Sequence, residues 1–300
     1  ELMQLGYFNP ETMGVNPLPN QEDGTVDIEY AVEEKPSDQI ELSGGFGAGR
    51  VVGSLGVSFN NFSTKNFFKK GAWQPLPAGD GQRLSLRGQT YGRGYQSYNL
   101  SFTEPWLGGK KPNSLTVSVY HNIQNLNGRS KDDPERSSLS ITGLTVGLGK
   151  RLKWPDDFFT LYQAIDLQRY SLQLYPLAGI QFDKGNVNNI AYKLTFGRNS
   201  VSNPIYPRSG SLFNSTLEAT FPYSLVNGKD YSSLSDQEKF NLLEYYKVKL
   251  NGSFFTEIAP KLVVKTAGEF GFLGIYNDEV GLPPFERFFV GGDGLQNFVL

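Results

Sequence analysis

Along most of this chain apolar and polar residues alternate with a period of two. In "RLSLRGQT" Leu84, Leu86 and Gly88 share one side, and Arg83, Ser85, Arg87 and Gln89 the other. In "IAYKLTFG" Ile190, Tyr192, Leu194 and Phe196 oppose Ala191, Lys193, Thr195 and Gly197. "KVKLNGSF" sets Val248, Leu250 and Phe254 against Lys247, Lys249, Asn251 and Ser253. "KLVVKTAGEFGF" sets Leu262, Val264, Phe270 and Phe272 against Val263, Lys265, Ala267 and Glu269. Successive side chains of a strand point to opposite faces, so the pattern predicts strands with one apolar and one charged face. Such strands are expected at 39–49, 51–62, 82–92, 95–104, 113–124, 138–152, 159–172, 188–200, 210–221, 243–258 and 261–274.

A soluble sandwich and a membrane barrel share this alternation, with the sense of the faces reversed. Length and loop rhythm separate them. Many of these strands exceed ten residues; sandwich strands commonly run ~5–6, and tilted membrane strands need ~9–11. The connections also alternate. "TEPWLGGKKPN", "KWPDDF", "NPIYPRSG" and "EIAPK" are compact and carry proline, whereas "QNLNGRSKDDPERSS", "LQLYPLAGIQFDKGN" and "PYSLVNGKDYSSLSDQEKFN" are longer and polar. Short turns at one end and long loops at the other fit an outer-membrane barrel. "GRGY" and "FFKKGAWQPLPAGDG" depart from the rhythm, the first tight on the long side and the second long on the short side. Barrels of bacterial single chains close with even strand numbers. Eleven strands therefore predict a barrel completed by residues past Leu300 or by another chain.

Residues 1–36 differ. "ELMQLGYFNPETM" reads as the end of a helix, with Leu2 and Leu5 on one face and Gly6 and Pro10 as stops. "GVNPLPNQEDG" reads as a loop. In "TVDIEYAVEEKP" Val26, Ile28, Tyr30 and Val32 alternate with Asp27, Glu29, Ala31 and Glu33, which predicts a half-buried strand. Together these are expected to close a small α+β module, with a hinge at Pro36 and Ser37. The opening lacks the basic start, apolar core and cleavage site of a signal peptide, so the sequence is expected to be an internal piece of a longer protein.

Composition narrows the function. The formal net charge is -2, without the basic excess of a nucleic-acid binder. There is no Cys and one His, His121, which argues against disulfide frameworks, thiolate chemistry, His-based metal sites and a catalytic triad. His121 is expected in a lumen or interface position. No run approaches the ~18 apolar residues of a membrane helix. Aromatics nevertheless reach 14%, a content that suits a membrane barrel, whose alternate lipid-facing residues escape hydropathy averages.

Candidate chemistry is sparse. "GGDG" at Gly291, Gly292, Asp293 and Gly294 lacks the spacing of a phosphate loop. Asp132/Asp133 and Asp156/Asp157 lie beside proline in polar connections and read as solvated turn residues. Arg83, Arg87 and Lys193 fit either a selective pore or an ordinary wet interior. "ELSGGFGAG", Glu41 to Gly49, places glycines inside a strand, where they weaken pairing. It reads either as a bend or as an edge that must pair poorly in order to open. Its place as the first barrel strand favours the second.

The order of these segments resembles a known family. A module ending "VDIEYAVEEKP" precedes "IELSGGFGAG" and "GSLGVSFNNFSTKNFF". Then come "YNLSFTEPWLGG", "NPIYPRSGSLFN" and "LPPFERFFVGGDGLQNF". This resembles the BamA-type outer-membrane assembly factors in their Bacteroidota form. The resemblance implies an all-β, antiparallel transmembrane barrel of sixteen strands, about eleven of them here. Residues 1–36 would be the C-terminal part of the last POTRA domain, in the periplasm, and 37–300 the N-terminal portion of the barrel, in the outer membrane of a Gram-negative cell. It further implies a lateral gate at the first strand, with Ile40, Leu42, Gly44, Gly45, Phe46 and Gly47 pairing with substrate strands. Phe285, Arg287, Phe288, Phe289, Gly291, Gly292, Asp293 and Gly294 would belong to extracellular loop 6, folded into the lumen. The loop's Arg-Gly-aromatic tip would lie past Leu300. Implied partners are unfolded outer-membrane proteins, accessory assembly lipoproteins, other outer-membrane subunits, and outer-membrane lipids or lipopolysaccharide. No nucleic acid, cofactor, metal or catalytic residue is implied, and no enzyme activity is expected. A TamA-like factor, a two-partner-secretion transporter, a passive porin and a barrel enzyme are the competing expectations.

Overall fold

The computed structural model describes residues 9, 11–19, 24–33, 38–47, 50–73, 75–109, 111–176, 182–203, 205–290 and 298–299. Eleven antiparallel strands form one sheet. They are β3 (Gln39–Gly47), β4 (Arg50–Phe62), β5 (Gln82–Tyr91), β6 (Tyr95–Glu104), β7 (Asn113–Asn125), β8 (Ser138–Arg151), β9 (Phe159–Gln173), β10 (Gly185–Asn199), β11 (Ser209–Thr220), β12 (Tyr246–Ala259) and β13 (Leu262–Gly274). Each pairs with its sequence neighbours and no strand crosses over. The eleven strands read from alternation are all present.

Register shows what the alternation is for. Ladder partners across β7 to β12 bring Ser118, Thr145, Asp166, Ala191 and Thr220 onto one face, and Lys193, Glu218 and Lys247 onto the same face. The opposite face carries Leu86, Val146, Ile165, Phe254 and Phe270, from 41% to 59% exposed. Asp166, Glu218 and Lys247 are buried while these large apolar groups are bare. That is the reverse of a water-soluble fold, in which charge is outside. Among the described residues no second sheet covers the apolar face, so the sandwich reading does not hold. A bare apolar face of this extent matches a sheet that meets lipid.

The connections keep the expected rhythm and both of its exceptions. Residues 92–94 make a tight hairpin at the end that also carries 126–137, 174–184 and 221–245. Residues 63–81 form the long excursion at the other end. The main apolar core is built at the long-connection end. The 221–245 connection contains α1 (Tyr223–Val226) and α2 (Asp236–Lys239), and sends Tyr231, Phe240, Leu243 and Tyr245 against Leu139, Tyr170, Leu172 and Val187 of the wall. Expectation and structure differ here: residues 243–245 extend no strand but are buried in this cap. Their apolar side chains fill a core, which a two-residue period cannot distinguish from strand pairing.

The segment before the sheet also differs from expectation. Gly14–Pro19, read as loop, is a strand, β1, paired with β2 (Val26–Ala31). Pro17 and Pro19 suggest a loop, but two residues apart they remove donors from a single edge, and an edge strand tolerates that. Val26, Ile28 and Tyr30 of β2 are each at least half exposed rather than half-buried. The helix expected at 1–13 lies almost wholly outside the described residues.

One packing detail gives a stability test. Gly143 of β8 faces Tyr120 of β7 across the ladder, and a Cβ at Gly143 would collide with the Tyr120 ring. Gly143→Val is expected to destabilise the folded protein by about 1–3 kcal/mol through overpacking. Adding Tyr120→Ala should recover most of that. The heat at which the folded band converts to the unfolded band on gels measures both.

Candidate functional site

The polar face is wired across six strands. Lys193 Nζ lies 2.8 Å from Asp166 Oδ2 and 3.4 Å from Glu218 Oε2. Thr145 donates to Asp166. The Tyr245 hydroxyl donates to Glu218 Oε1 at 2.7 Å and accepts from Asn189 Nδ2 at 2.9 Å. Gln168 donates to the Tyr120 hydroxyl at 2.8 Å, and its Oε1 accepts from Tyr170 at 2.7 Å. Buried charges persist when paired and hydrogen-bonded, and each of these is.

A returning segment completes the network. After β13 the chain runs back onto the polar face at Phe285–Phe288. Phe285 stacks on Tyr170 with ring centroids 4.2 Å apart. Glu286 is buried, with Oε2 3.1 Å from Lys247 Nζ and Oε1 3.2 Å from the Tyr170 hydroxyl. The Phe288 ring sits against Gly271, which has no side chain to displace it, and receives Lys247 Nζ at 4.9 Å. Arg287 is half-buried, and Phe289 begins β14 (Phe289–Val290), which pairs with β15 (Phe298–Val299). Gly291, Gly292, Asp293 and Gly294 lie outside the described residues. The sequence pattern does not single out Glu286, the residue that anchors the segment. Its only signal is an acid between aromatics, opposite an alternating Lys.

The first strand has a different character. β3 pairs with β4 through nine register pairs, and its other edge has no partner among the described residues. Ile40, Leu42 and Phe46 project from the apolar face, more than three-quarters exposed. Gly44, Gly45 and Gly47 lie between and beside them. A Cβ at Gly44 would meet nothing closer than 4.0 Å, and at Gly45 nothing closer than 3.5 Å. Steric crowding is therefore not what calls for glycine there, in contrast to Gly143.

The remaining candidates resolve simply. Arg87 pairs with Glu41 at 3.1 Å, Arg83 donates to Asn60 at 2.8 Å, and Lys193 is held between two acids. Interior basic groups so neutralised suit a wet interior better than an anion filter. Asp156 meets Arg198 at 2.8 Å. Desolvation would raise its carboxyl pKa, but the Arg198 guanidinium and the Phe158 amide outweigh that and hold it below the usual range. Asp133 pairs with Arg129. His121 is not on the polar face: it shares the apolar face with Val119 and Ile123, and its Nδ1 lies 2.8 Å from Thr142 Oγ1. Among the described residues no cluster of three His, Asp or Glu residues could hold a metal.

The comparisons fit this geometry. A family model described as the Omp85 superfamily domain matches residues 78–296. This chain belongs to the Omp85 superfamily. Its similarity within the superfamily is to BamA-type proteins. An outer membrane protein assembly factor BamA from Neisseria meningitidis serogroup B is 26% identical, over 97% of this chain and 33% of the relative. The chain thus spans about a third of that relative's length. The crystal structure of BamA from Haemophilus ducreyi lacking POTRA domains 1–3 shares the fold, with a TM-score of 0.61 at 19% identity, over 98% of this chain and 51% of that one. In a transmembrane β-barrel the polar face is the lumenal one and the apolar face meets lipid.

The anchor is open to a double-variant test. Lys247 and Glu286 side chains are 8% and 12% exposed. Lys247→Met leaves a buried carboxylate unpaired and is expected to cost about 3–5 kcal/mol. Combining it with Glu286→Gln should restore most of the loss. Chemical unfolding of the purified protein reads the energies, and proteolysis near Phe285 reads release of the segment. Additive losses would mean that the two groups do not depend on each other.

Proposed function

We propose that this chain forms the barrel core of an outer-membrane protein insertase, which folds and inserts other β-barrels through a lateral gate at β3. Residues 1–36 are read as the C-terminal part of a periplasmic POTRA domain. Residues 37–300 are read as the N-terminal portion of a sixteen-stranded barrel that ends in extracellular loop 6, whose lumenal part begins at Phe285. The observation that carries the reading is the glycine-rich first strand, an edge of the sheet among the described residues, where side chains would fit. Glycine there lowers strand stability without relieving a clash. A strand that pairs weakly can exchange its neighbour for an incoming substrate strand. Similarity to an assembly factor over nearly the whole chain supports the same reading. Unfolded outer-membrane proteins are its substrates, accessory lipoproteins and other outer-membrane subunits its partners, and lipid its surroundings. It makes and breaks no covalent bonds.

The test is depletion of the protein in cells, with folded outer-membrane barrels counted by heat-modifiability. A broad loss of folded barrels is expected. Loss of a single exported protein or solute, with other barrels intact, would indicate a dedicated transporter or porin instead. A second test targets the strand. Gly44→Val with Gly45→Val should stabilise β3 by up to about 1 kcal/mol. The variant should fold normally yet complement depletion poorly. Full complementation would remove the gate from β3.

A further inference from the structure

The apolar face changes character abruptly near the long-connection end of β7 to β10. Val119, Leu144, Leu167 and Ile190 form one continuous rung of ladder partners. The next rung on the same face is His121, Thr142, Arg169 and Asn188, and the one after it contains Ser140, Ser171 and Asn186. These residues line a shallow groove of about 940 Å³, with no Asp or Glu in its wall. Its lower part is valine, leucine and isoleucine, and its upper part is hydroxyl, amide, imidazole and guanidinium.

Arg169 is exposed and makes no hydrogen bond or ion pair with any described residue. Arg83, Arg87, Arg129, Lys193, Arg198 and Lys247, by contrast, each have an acid or amide partner. Ser171 donates to Asn186 Oδ1 at 2.9 Å, which turns the Asn186 amide N–H groups away from that bond. His121 engages Thr142 through Nδ1, which leaves the opposite edge of the ring for another contact.

Depth fixes what this row meets. At the other end of the same face, Phe159 stacks on Phe196 with centroids 5.0 Å apart, and the exposed Trp154 lies in the connection that leads into β9. Such aromatics mark a membrane–water boundary. Arg169 stands ten residues further along β9. At ~3.3 Å per residue and a tilt of ~40°, that is about 25 Å along the membrane normal, the height of a barrel's apolar band. The unpaired guanidinium therefore sits at the headgroup level of the outer leaflet, directly above an apolar strip long enough for acyl chains.

We infer that this groove binds a phosphorylated glycolipid of the outer leaflet, with the phosphate on Arg169 and the acyl chains along Val119, Leu144, Leu167 and Ile190. The inference rests on the outer-membrane reading above. A guanidinium forks onto two phosphate oxygens, and desolvation beside the apolar rung strengthens that contact. Thr142, His121 and Asn186 supply the hydrogen-bonding contacts of the headgroup.

The test uses the full-length protein in nanodiscs of zwitterionic lipid, titrated with bis-phosphorylated lipid A as the probe. Arg169→Ala should lower affinity about tenfold, the scale of one lost charge-assisted contact. Arg169→Lys should fall between the two. Lys150→Ala, on the same face at the opposite end of β8, should bind as wild type does. Excess inorganic phosphate should not displace the lipid, and dephosphorylated lipid A should not distinguish wild type from Arg169→Ala. Heat-modifiability of each variant confirms that it has folded. Equal affinity of wild type and a folded Arg169→Ala would overturn the site. Displacement by phosphate alone would make it a simple anion site and overturn the lipid assignment. Neither outcome touches the depletion test of the proposed function, and a negative depletion test leaves this binding result standing or falling by itself.

Discussion

A strand that crosses lipid has no water for its amides, so every N–H and C=O must pair with a neighbouring strand. The rest of the structure follows from that constraint. It requires long strands joined in sequence without crossovers, and β3 to β13 are so arranged. It places the apolar side chains on the side that faces lipid. The charges must then gather on the other side, where Asp166, Lys193, Glu218, Lys247 and Glu286 satisfy one another. Phe285–Phe288 is drawn onto that face because the network offers its acid a Lys and a Tyr.

The same constraint gives an edge its functional value. A strand edge left unpaired in lipid is costly, so any such edge is closed by another strand or held ready for one. β3 is an edge among the described strands, and its glycines make whatever pairing it has easier to give up. The proposed insertase uses that property: energy gained by satisfying an incoming strand's amides drives its entry. Mid-sheet glycines differ from those of β3: Tyr120 is seated over Gly143 and Tyr162 over Gly147.

The fold is largely legible in the sequence because membrane strands are long and their alternation is strict. The charges at Lys193, Lys247 and Glu269 mark the phase of their strands by pattern alone. Three features escape such a reading. Pro17 and Pro19 mask β1, because their usual meaning as breakers lapses on an edge. Leu243 and Tyr245 look like strand because a packed loop core has no period of its own. Glu286 is inconspicuous because its partners Lys247 and Tyr170 lie 39 and 116 residues away, and only the fold brings them together. His121 is hard to place for a related reason. A polar residue on an apolar face is visible only when four neighbouring strands are read as one rung.

The central claim is the reversed polarity of the sheet, and β9 is the place to measure it. The absence of cysteine lets single substitutions report without background. Cysteines placed one at a time at Ile165, Asp166, Leu167 and Gln168, spin-labelled in the protein reconstituted into bilayers, can be tested for collision with oxygen and with a water-soluble nickel chelate. The account predicts alternation: labels at 165 and 167 favour oxygen, and those at 166 and 168 are shielded from lipid. Labels at 165 and 167 that favour the water-soluble reagent would contradict it.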